Sequence, residues 1–171
     1  MNTEELVRIM TEHLRHTITR YFCNKTAVVY FDGTPATVLA ASLCMYAVGP
    51  ENVVCVTTTD VGCMNVTAAT CEASKLGVRH LIVPIILPVA SIIQQINYAG
   101  VPLTGERSSM IASRRVASVV LDIIAGQMDG TVISTMPYVS GIDPLDDLST
   151  SDLESLFSYY NIAIHDSKEE E

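Results

Sequence analysis

Short, almost wholly apolar segments alternate along this chain with helical patterns of about a dozen residues. The apolar segments have the length of strands and lack the polar–apolar alternation of half-exposed strands; they are 27–31, 52–58, 78–86 and 130–135. Strands that are apolar on both faces are typical of parallel sheets covered on both sides, with helical crossovers between the strands. The pattern therefore predicts an α/β fold, a doubly wound parallel sheet of about four to five strands with helices on both faces.

The helical patterns account for most of the remaining residues. The first covers 3–23, with Thr3 as its expected N-cap, and the last has Ser149 or Thr150 as its expected N-cap. The other predicted helices are 35–48, 65–76, 87–99 and 108–127. No repeat or linker divides the chain, so we expect one α/β domain over 1–165 and an acidic tail over 166–171.

Composition and charge argue against several classes of protein. The net charge of −9 disfavours nucleic acid and anionic membrane surfaces as partners. No apolar run approaches the roughly 20 residues of a membrane span, and the longest, 81–90, is interrupted by Pro84 and Pro88. The first ten residues lack the basic region of a targeting signal. We therefore predict a cytoplasmic protein that binds neither nucleic acid nor membrane.

The cysteines and histidines do not form a recognisable metal or disulfide pattern. The five cysteines are scattered, without a CxxC spacing: Cys23, Cys44, Cys55, Cys63 and Cys71. An odd, scattered set is typical of reduced thiols that act as small hydrophobic residues. His13 and His16 lie one turn apart, but no Asp or Cys is near them in sequence. We therefore predict no metal site.

The exit of the first predicted strand is the natural place for a ligand. In doubly wound sheets, ligands bind beyond the carboxyl ends of the strands, where the strand order reverses. There Asp32, Gly33 and Thr34 lead directly into a helix, whose N-terminus attracts anions. Gly33 is consistent with a phosphate loop or with a tight turn alone, and we expect Asp32 to act as an N-cap. Residues 57–60, at the exit of the second strand, are candidates for contacts with adenine or ribose.

Four segments carry a resemblance to a known family. They are "DGTPATVLAASLCMYAVGPENVVCV", "ASKLGVRHLIVPI", "MIASRRVASVVLDIIAGQMDGTVIST" and "DPLDDLSTSDLESLFSYYNI". In this order they resemble segments of the ammonia-dependent NAD synthetases, of the ATP-pyrophosphatase superfamily. The resemblance extends over about residues 4–165. It implies an adenine-nucleotide-hydrolase-like fold, a homodimer built on the long helix, and ATP-dependent amidation of deamido-NAD with ammonia.

The phosphate loop departs from the family's Ser-Gly-Gly-x-Asp-Ser pattern. In the family this loop holds the pyrophosphate of ATP, and its Asp binds magnesium. The aligned positions here hold Phe31, Asp32, Gly33, Pro35 and Ala36. A carboxylate at position 32 would repel a phosphate by about 4 kcal/mol at ~4 Å and an effective dielectric constant of ~20. Pro35 lacks both an N–H donor and a metal ligand.

Later segments of the chain also lack several residues of the family's motifs. Arg114 matches the first arginine of the family's pair, whereas Arg115 is displaced by one position from the second. Both are expected near a helix N-terminus, where positive charge is unfavourable unless an anion or a partner is present. After the fourth strand the family has a loop whose Glu helps to bind magnesium. In this chain the segment "STMPYVSGIDPL" stands in its place and lacks that Glu, and Thr150 stands where the family has a later Lys. The resemblance thus leaves a vestigial nucleotide site without catalytic residues or metal ligands: Gly33, Thr34, Thr57, Asp60, Arg114 and Thr135.

These observations predict a non-catalytic protein related in fold to the NAD synthetases. We expect it to act by self-association, or as a subunit or regulator together with a related synthetase or a larger assembly, and to need no cofactor. One alternative is a divergent NAD synthetase or adenine-nucleotide-binding protein, which would use ATP and Mg²⁺. A second alternative is a sensor that binds another small molecule in the vestigial pocket.

Overall fold

A parallel sheet runs through the centre of the protein, for which a computed structural model describes residues 2–21, 23–60, 66–103 and 105–163. Its strands are β1 (Thr26–Tyr30), β2 (Val53–Thr59), β3 (Arg79–Pro84) and β4 (Gly130–Ile133), in the order β3-β2-β1-β4. All three pairings are parallel. The order reverses between β1 and β4, so the switch point lies there, as the doubly wound pattern predicts.

A fifth strand is reduced to a single bridge at the outer edge of β4. Ile142 pairs with Ile133, donating its N–H to the Val132 carbonyl (2.9 Å) and accepting from the Ser134 N–H (2.9 Å). Two residues earlier, the N–H of Ser140 instead donates to a side chain of the long helix. The predicted count of about four to five strands therefore corresponds to four strands and one bridge.

Helices cover both faces of the sheet. One layer contains α1 (Thr3–His16), α2 (Pro35–Val48), α3 (Val66–Leu76) and α6 (Thr150–Tyr159). The other contains α4 (Ile86–Tyr98) and α5 (Glu106–Gln127). Each face of the sheet has its own apolar core, because neighbouring strand residues point to opposite sides. Leu39, Leu43 and Phe31 are fully buried in the first core, and Val28, Val56 and Leu121 in the second.

Several predicted element ends need correction. Asn2, not Thr3, caps α1, since its side chain accepts from the Glu4 N–H (3.3 Å). The α-helix ends at His16 and is followed by a π-helical turn over Thr17–Tyr21, whereas the prediction extended the helix to residue 23. The strand predicted over 78–86 is shorter, because its last two residues lead into and begin α4. Ser149 caps α6, as one of the two predicted options.

The start of α5 corrects the prediction made for the two arginines. The helix begins at Glu106, two residues before the predicted start, so Arg114 and Arg115 lie more than two turns inside it. The unfavourable helix-dipole argument therefore does not apply, because that effect fades within the first turn.

The cysteines fit the prediction in part. Cys44 and Cys55 are buried in the core, where burial raises the pKa of Cys55 to about 12. Cys23 and Cys71 are exposed, so they do not serve as core residues. All four are free thiols, and Cys63 lies outside the described residues.

Candidate functional site

The loop between β1 and α2 is closed by its own carboxylate. Oδ1 of Asp32 accepts from the Thr34 N–H (2.9 Å) and from the hydroxyls of Thr34 (2.7 Å) and Thr37 (3.0 Å). The N-cap of α2 is Thr34, so the prediction that Asp32 is the cap was wrong by two residues. The carboxylate nevertheless lies at the start of α2, where the helix dipole favours negative charge. The Asp32 carboxylate therefore lies at the helix N-terminus where the sequence predicted that a phosphate could bind.

Gly33 is fixed by its backbone conformation and by close packing. Its φ is +82°, and a Cβ built on it would lie 2.7 Å from the backbone nitrogen of Ala69 and 2.9 Å from its Cα. Only glycine combines a positive φ with so close a backbone approach at little cost. The loop thus rests directly on α3, which gives Gly33 a purely structural reason to be glycine.

On the α5 side of the sheet, two tyrosines and an arginine lie across the switch point. The rings of Tyr30 and Tyr138 meet edge-to-face with centroids 6.3 Å apart. The guanidinium carbon of Arg114 lies 4.7 Å from the centroid of the Tyr138 ring, a cation–π contact. Burial raises the pKa of the Tyr30 hydroxyl, and its hydrogen bond with Tyr138 and the nearby carboxylate of Asp32 raise this pKa further. The segment after β4 therefore packs over the carboxyl end of β1.

Thr57 faces the opposite side of the sheet. It is buried, its hydroxyl donates to the Phe31 carbonyl, and the same oxygen lies 2.7 Å from Nε2 of His80. Burial lowers the pKa of His80, which favours the neutral imidazole. The hydrogen bonds of Thr57 are thus made within the protein, and they link β2 to β3 and to Phe31, the residue that follows β1.

The remaining predicted residues lie where two strands end. Asp60 follows β2 and is half-buried. Thr135 follows β4, and its hydroxyl is buried without a hydrogen-bond partner among the described residues. The structure therefore brings Gly33 and Thr34 together in one loop and places Arg114 against Tyr138, but it sets Thr57 on the other face.

Sequence reasoning missed three residues of this region: Tyr30, His80 and Tyr138. Tyr30 and His80 lie within strands. The sequence could have pointed to them, because each carries a polar group within an otherwise mostly apolar segment. Tyr138 had no local signal, because its role depends on contacts with residues far away in the chain.

Two further properties of the described residues bear on the chemistry. In the ranges given above, no group of three or more His, Cys, Asp or Glu side chains could hold a metal ion. None of the described helices has both the length and the apolar character needed to cross a bilayer.

Comparisons with known proteins reach the same fold. No family model matches the chain, and no curated protein sequence is significantly similar to it. Among solved structures, the ammonia-dependent NAD synthetase of Campylobacter jejuni, in complex with nitrate, superposes with a TM-score of 0.81 at 18% identity. The match covers 95% of this chain and 75% of that one. NMN synthetase from Francisella tularensis gives a TM-score of 0.80 at 16% identity, covering 95% and 72%.

A longer protein contains a region of the same fold. Glutamine-dependent NAD⁺ synthetase from Acinetobacter baumannii, in complex with ADP, matches with a TM-score of 0.80 at 19% identity. The match covers 93% of this chain but only 33% of that one, so the chain spans a third of that enzyme. At such low identities the likeness describes the backbone and not the chemistry. The chain therefore has an NAD-synthetase-like fold, as the sequence resemblance predicted.

Proposed function

We propose that this chain is a non-catalytic protein of NAD-synthetase-like fold that acts by associating with a second copy of itself. The observation that carries the proposal is α4, an apolar helix of which Val89 is the only buried residue within Ile86–Tyr98. Leu87, Ile92 and Ile96 of this helix are exposed, and large apolar side chains grouped on a surface are normally covered by a partner. Such a helix therefore needs a partner surface.

The exposed apolar residues of α4 and α5 lie on the same layer of the molecule. The side chains of Leu87 and Tyr98 are 78% and 75% exposed, and each of the other large apolar residues in this set is at least a third exposed. We call this set the outer face; it comprises Ile86, Leu87, Ile92, Ile96, Tyr98, Met110, Ile111, Val119 and Ile123. Large apolar patches of this kind mark protein–protein interfaces. An isologous contact between two such faces would cover both at once.

The geometry of the loop supports the absence of catalysis. A phosphate approaching α2 would meet the carboxylate of Asp32, which already accepts three hydrogen bonds there. Pro35, the first residue of the helix, has no N–H to donate. Adenylation chemistry requires magnesium to neutralise the phosphates, and the aligned metal-binding position holds this proline.

Association is tested by sedimentation equilibrium or light scattering on the purified chain. We expect a dimer or a larger species at micromolar concentration. The double variant Ile92→Ser/Ile96→Ser should shift it towards monomer, whereas Ile9→Ser, an exposed apolar residue on α1, should not. A wild-type chain that remains monomeric at ~100 µM would overturn the proposal, because stable interfaces normally associate well below this concentration.

The absence of catalysis is tested by titration calorimetry with ATP, with and without Mg²⁺. We expect no heat of binding at millimolar ATP and no product from deamido-NAD and ammonia. Magnesium-dependent binding in the micromolar range would overturn this part of the proposal and favour a divergent synthetase.

A second candidate function, adenine-nucleotide binding without catalysis, has one observation in its favour. The buried hydroxyl of Thr135 has no partner in the described part of the chain and lies just after β4, near the switch point. An unsatisfied buried hydroxyl is costly, and a bound ligand would relieve that cost. ATP binding that does not depend on Mg²⁺ and is weakened by Thr135→Val would support this function.

A further inference from the structure

We propose that the groove between α5 and the outer edge of β4 binds an extended, basic peptide of a partner protein, which pairs with β4 as an additional strand. We call this site the edge groove; its lining includes Asn24, Asp122, Gly126, Gly130, Val132 and Ser140. The inference does not rest on the self-association proposed above, because it concerns the edge of the sheet and not the outer face.

The outer edge of β4 is paired at one end only. Ile142 binds the Val132 carbonyl and the Ser134 N–H, at 2.9 Å each. Along a strand, the backbone groups of successive residues point to opposite edges, so the N–H of Val132 and the carbonyl of Gly130 point outward as well. In the described part of the chain no backbone group pairs with them at this edge, since Ser140 donates its N–H to a hydroxyl of α5 instead. An unpaired edge is a template for a further strand.

The edge groove has room for the side chains of such a strand. Its volume is about 440 Å³, within the usual range of ligand sites. Its lining is partly apolar, since Ala125 and Val132 are buried there. On the helix side, a Cβ built on Gly126 would have nothing within 4 Å, so the space beside this glycine is open. A small apolar side chain or a long, flexible one can therefore lie between α5 and β4.

The polar groups of the edge groove favour a basic ligand. Asp122 is exposed, and its carboxylate makes no ion pair with the described residues. Asn24 donates its amide N–H to the Thr131 hydroxyl (2.8 Å), which leaves its amide oxygen as an acceptor. No Lys, Arg or His is among the described residues that line the groove. The net charge of −9 also attracts cations. A lysine or arginine of the ligand is thus the expected partner of Asp122.

An extended peptide uses both parts of the site at once. Its backbone can accept from the Val132 N–H and donate to the Gly130 carbonyl, which are two residues apart, as the repeat of an added strand requires. Its alternate side chains then lie on the α5 side, where one basic residue can reach Asp122. A free amine would contact the carboxylate but leave the edge of β4 unpaired.

The proposal is tested by NMR titration of the full-length, ¹⁵N-labelled chain with the acetylated and amidated peptide Thr-Val-Lys-Val-Thr. We expect a dissociation constant below ~1 mM and shifts of the amide resonances of Gly126, Gly130 and Val132. Asp122→Lys should weaken binding at least about fivefold. The matched control is Glu154→Lys, the same charge change at an exposed position of α6, which should not alter binding. Absence of shifts at ~2 mM peptide, or equal weakening by both variants, would overturn the proposal.

Backbone pairing is tested separately from charge. Two further peptides carry N-methyl groups, one on both valines and the other on the lysine and the last threonine. Only the N–H groups that face β4 are needed, so one of these peptides should bind at least about tenfold more weakly and the other nearly as well as the parent. Equal binding of all three peptides, or equal binding of n-butylamine at the same resonances, would overturn the added strand.

The same titration in the Ile92→Ser/Ile96→Ser background separates this proposal from self-association. Neither residue lines the edge groove, so the peptide should bind this variant as it binds wild type. Peptide binding to a monomeric wild-type chain would overturn self-association alone. A wild-type dimer that does not bind the peptide, in either background, would overturn the edge groove alone.

Discussion

The switch point and the outer face of α4 and α5 differ in whether the chain itself supplies contacts for their side chains. At the switch point the protein provides its own partners: Asp32 accepts the donors at the start of α2, α3 packs on Gly33, and Tyr138 covers Tyr30. On the outer face, large apolar side chains have no partner within the described chain. The difference supports the proposal that this protein recognises a partner through its helical layer and not through the pocket typical of its fold.

The largest expected effect compares two residues of α5 that lie two positions apart. Leu121→Ala removes a fully buried side chain and should lower the free energy of unfolding by about 4 kcal/mol. Ile123→Ala, on the outer face, should change it by less than ~0.5 kcal/mol when measured below the dimer dissociation constant. Urea unfolding measures both values. Similar losses for the two variants would mean that the outer face is already buried within one chain.

The second prediction concerns the packing of the switch-point loop on α3. Gly33→Ala should lower the free energy of unfolding by about 3 kcal/mol, because it adds left-handed backbone strain to a clash with the backbone of Ala69. Gly100→Ala is the matched control: its φ is +86°, but no atom lies within 4 Å of the added Cβ. Strain alone should then cost about 1 kcal/mol. Equal losses in urea unfolding would exclude the clash.

The third prediction addresses the carboxylate at the start of α2. Asp32→Ala should lower the free energy of unfolding by about 1.5 kcal/mol, since three hydrogen bonds to a charged acceptor are lost at a partly exposed site. Asp32→Asn, which keeps an acceptor oxygen, should recover part of this loss. Thermal and urea unfolding provide the measurement, and an unchanged Asp32→Ala variant would show that the network contributes nothing.

A smaller effect is expected from the contact between Arg114 and Tyr138. A double-mutant cycle with Arg114→Ala and Tyr138→Leu should give a coupling free energy of about 0.5–1 kcal/mol. Tyr138→Leu alone should cost more than Arg114→Ala, because it also removes the contact with Tyr30. A coupling near zero would mean that the guanidinium and the ring do not interact in solution.

The smallest expected effect is a dependence of stability on pH through His80. Its folded pKa is lowered by burial, so below pH ~6.5 the unfolded chain binds more protons at this site than the folded one. Stability should therefore fall as the pH drops from ~6.5 towards the folded pKa and should not depend on this residue at higher pH. Urea midpoints from pH 5 to 7.5 should show a shallower decline for His80→Gln. Parallel curves for wild type and variant would contradict the assignment.

Much of the fold was readable from local patterns. The continuously apolar strands predicted a doubly covered parallel sheet, and α2 was predicted with its observed bounds, Pro35–Val48, because a proline begins it and Gly49 ends it. The start of α5 was less predictable, because the turn-rich segment before it has several residues able to begin a helix. The side of the sheet towards which Thr57 points could not be predicted. A strand covered on both sides is apolar throughout, so its sequence lacks the polar–apolar alternation that would distinguish its two faces.

The sequence by itself determined the order of the elements and their parallel arrangement, because these depend on patterns among residues close together in the chain. The tertiary structure alone decided what fills the switch point and what remains open. Tyr30 and Tyr138, or Gly33 and Ala69, meet only after the sheet and its helices have packed. The outer face of α4 and α5 likewise became apparent only once the sheet had covered the opposite side of α5. Such contacts follow from packing between distant segments, which local sequence patterns do not encode.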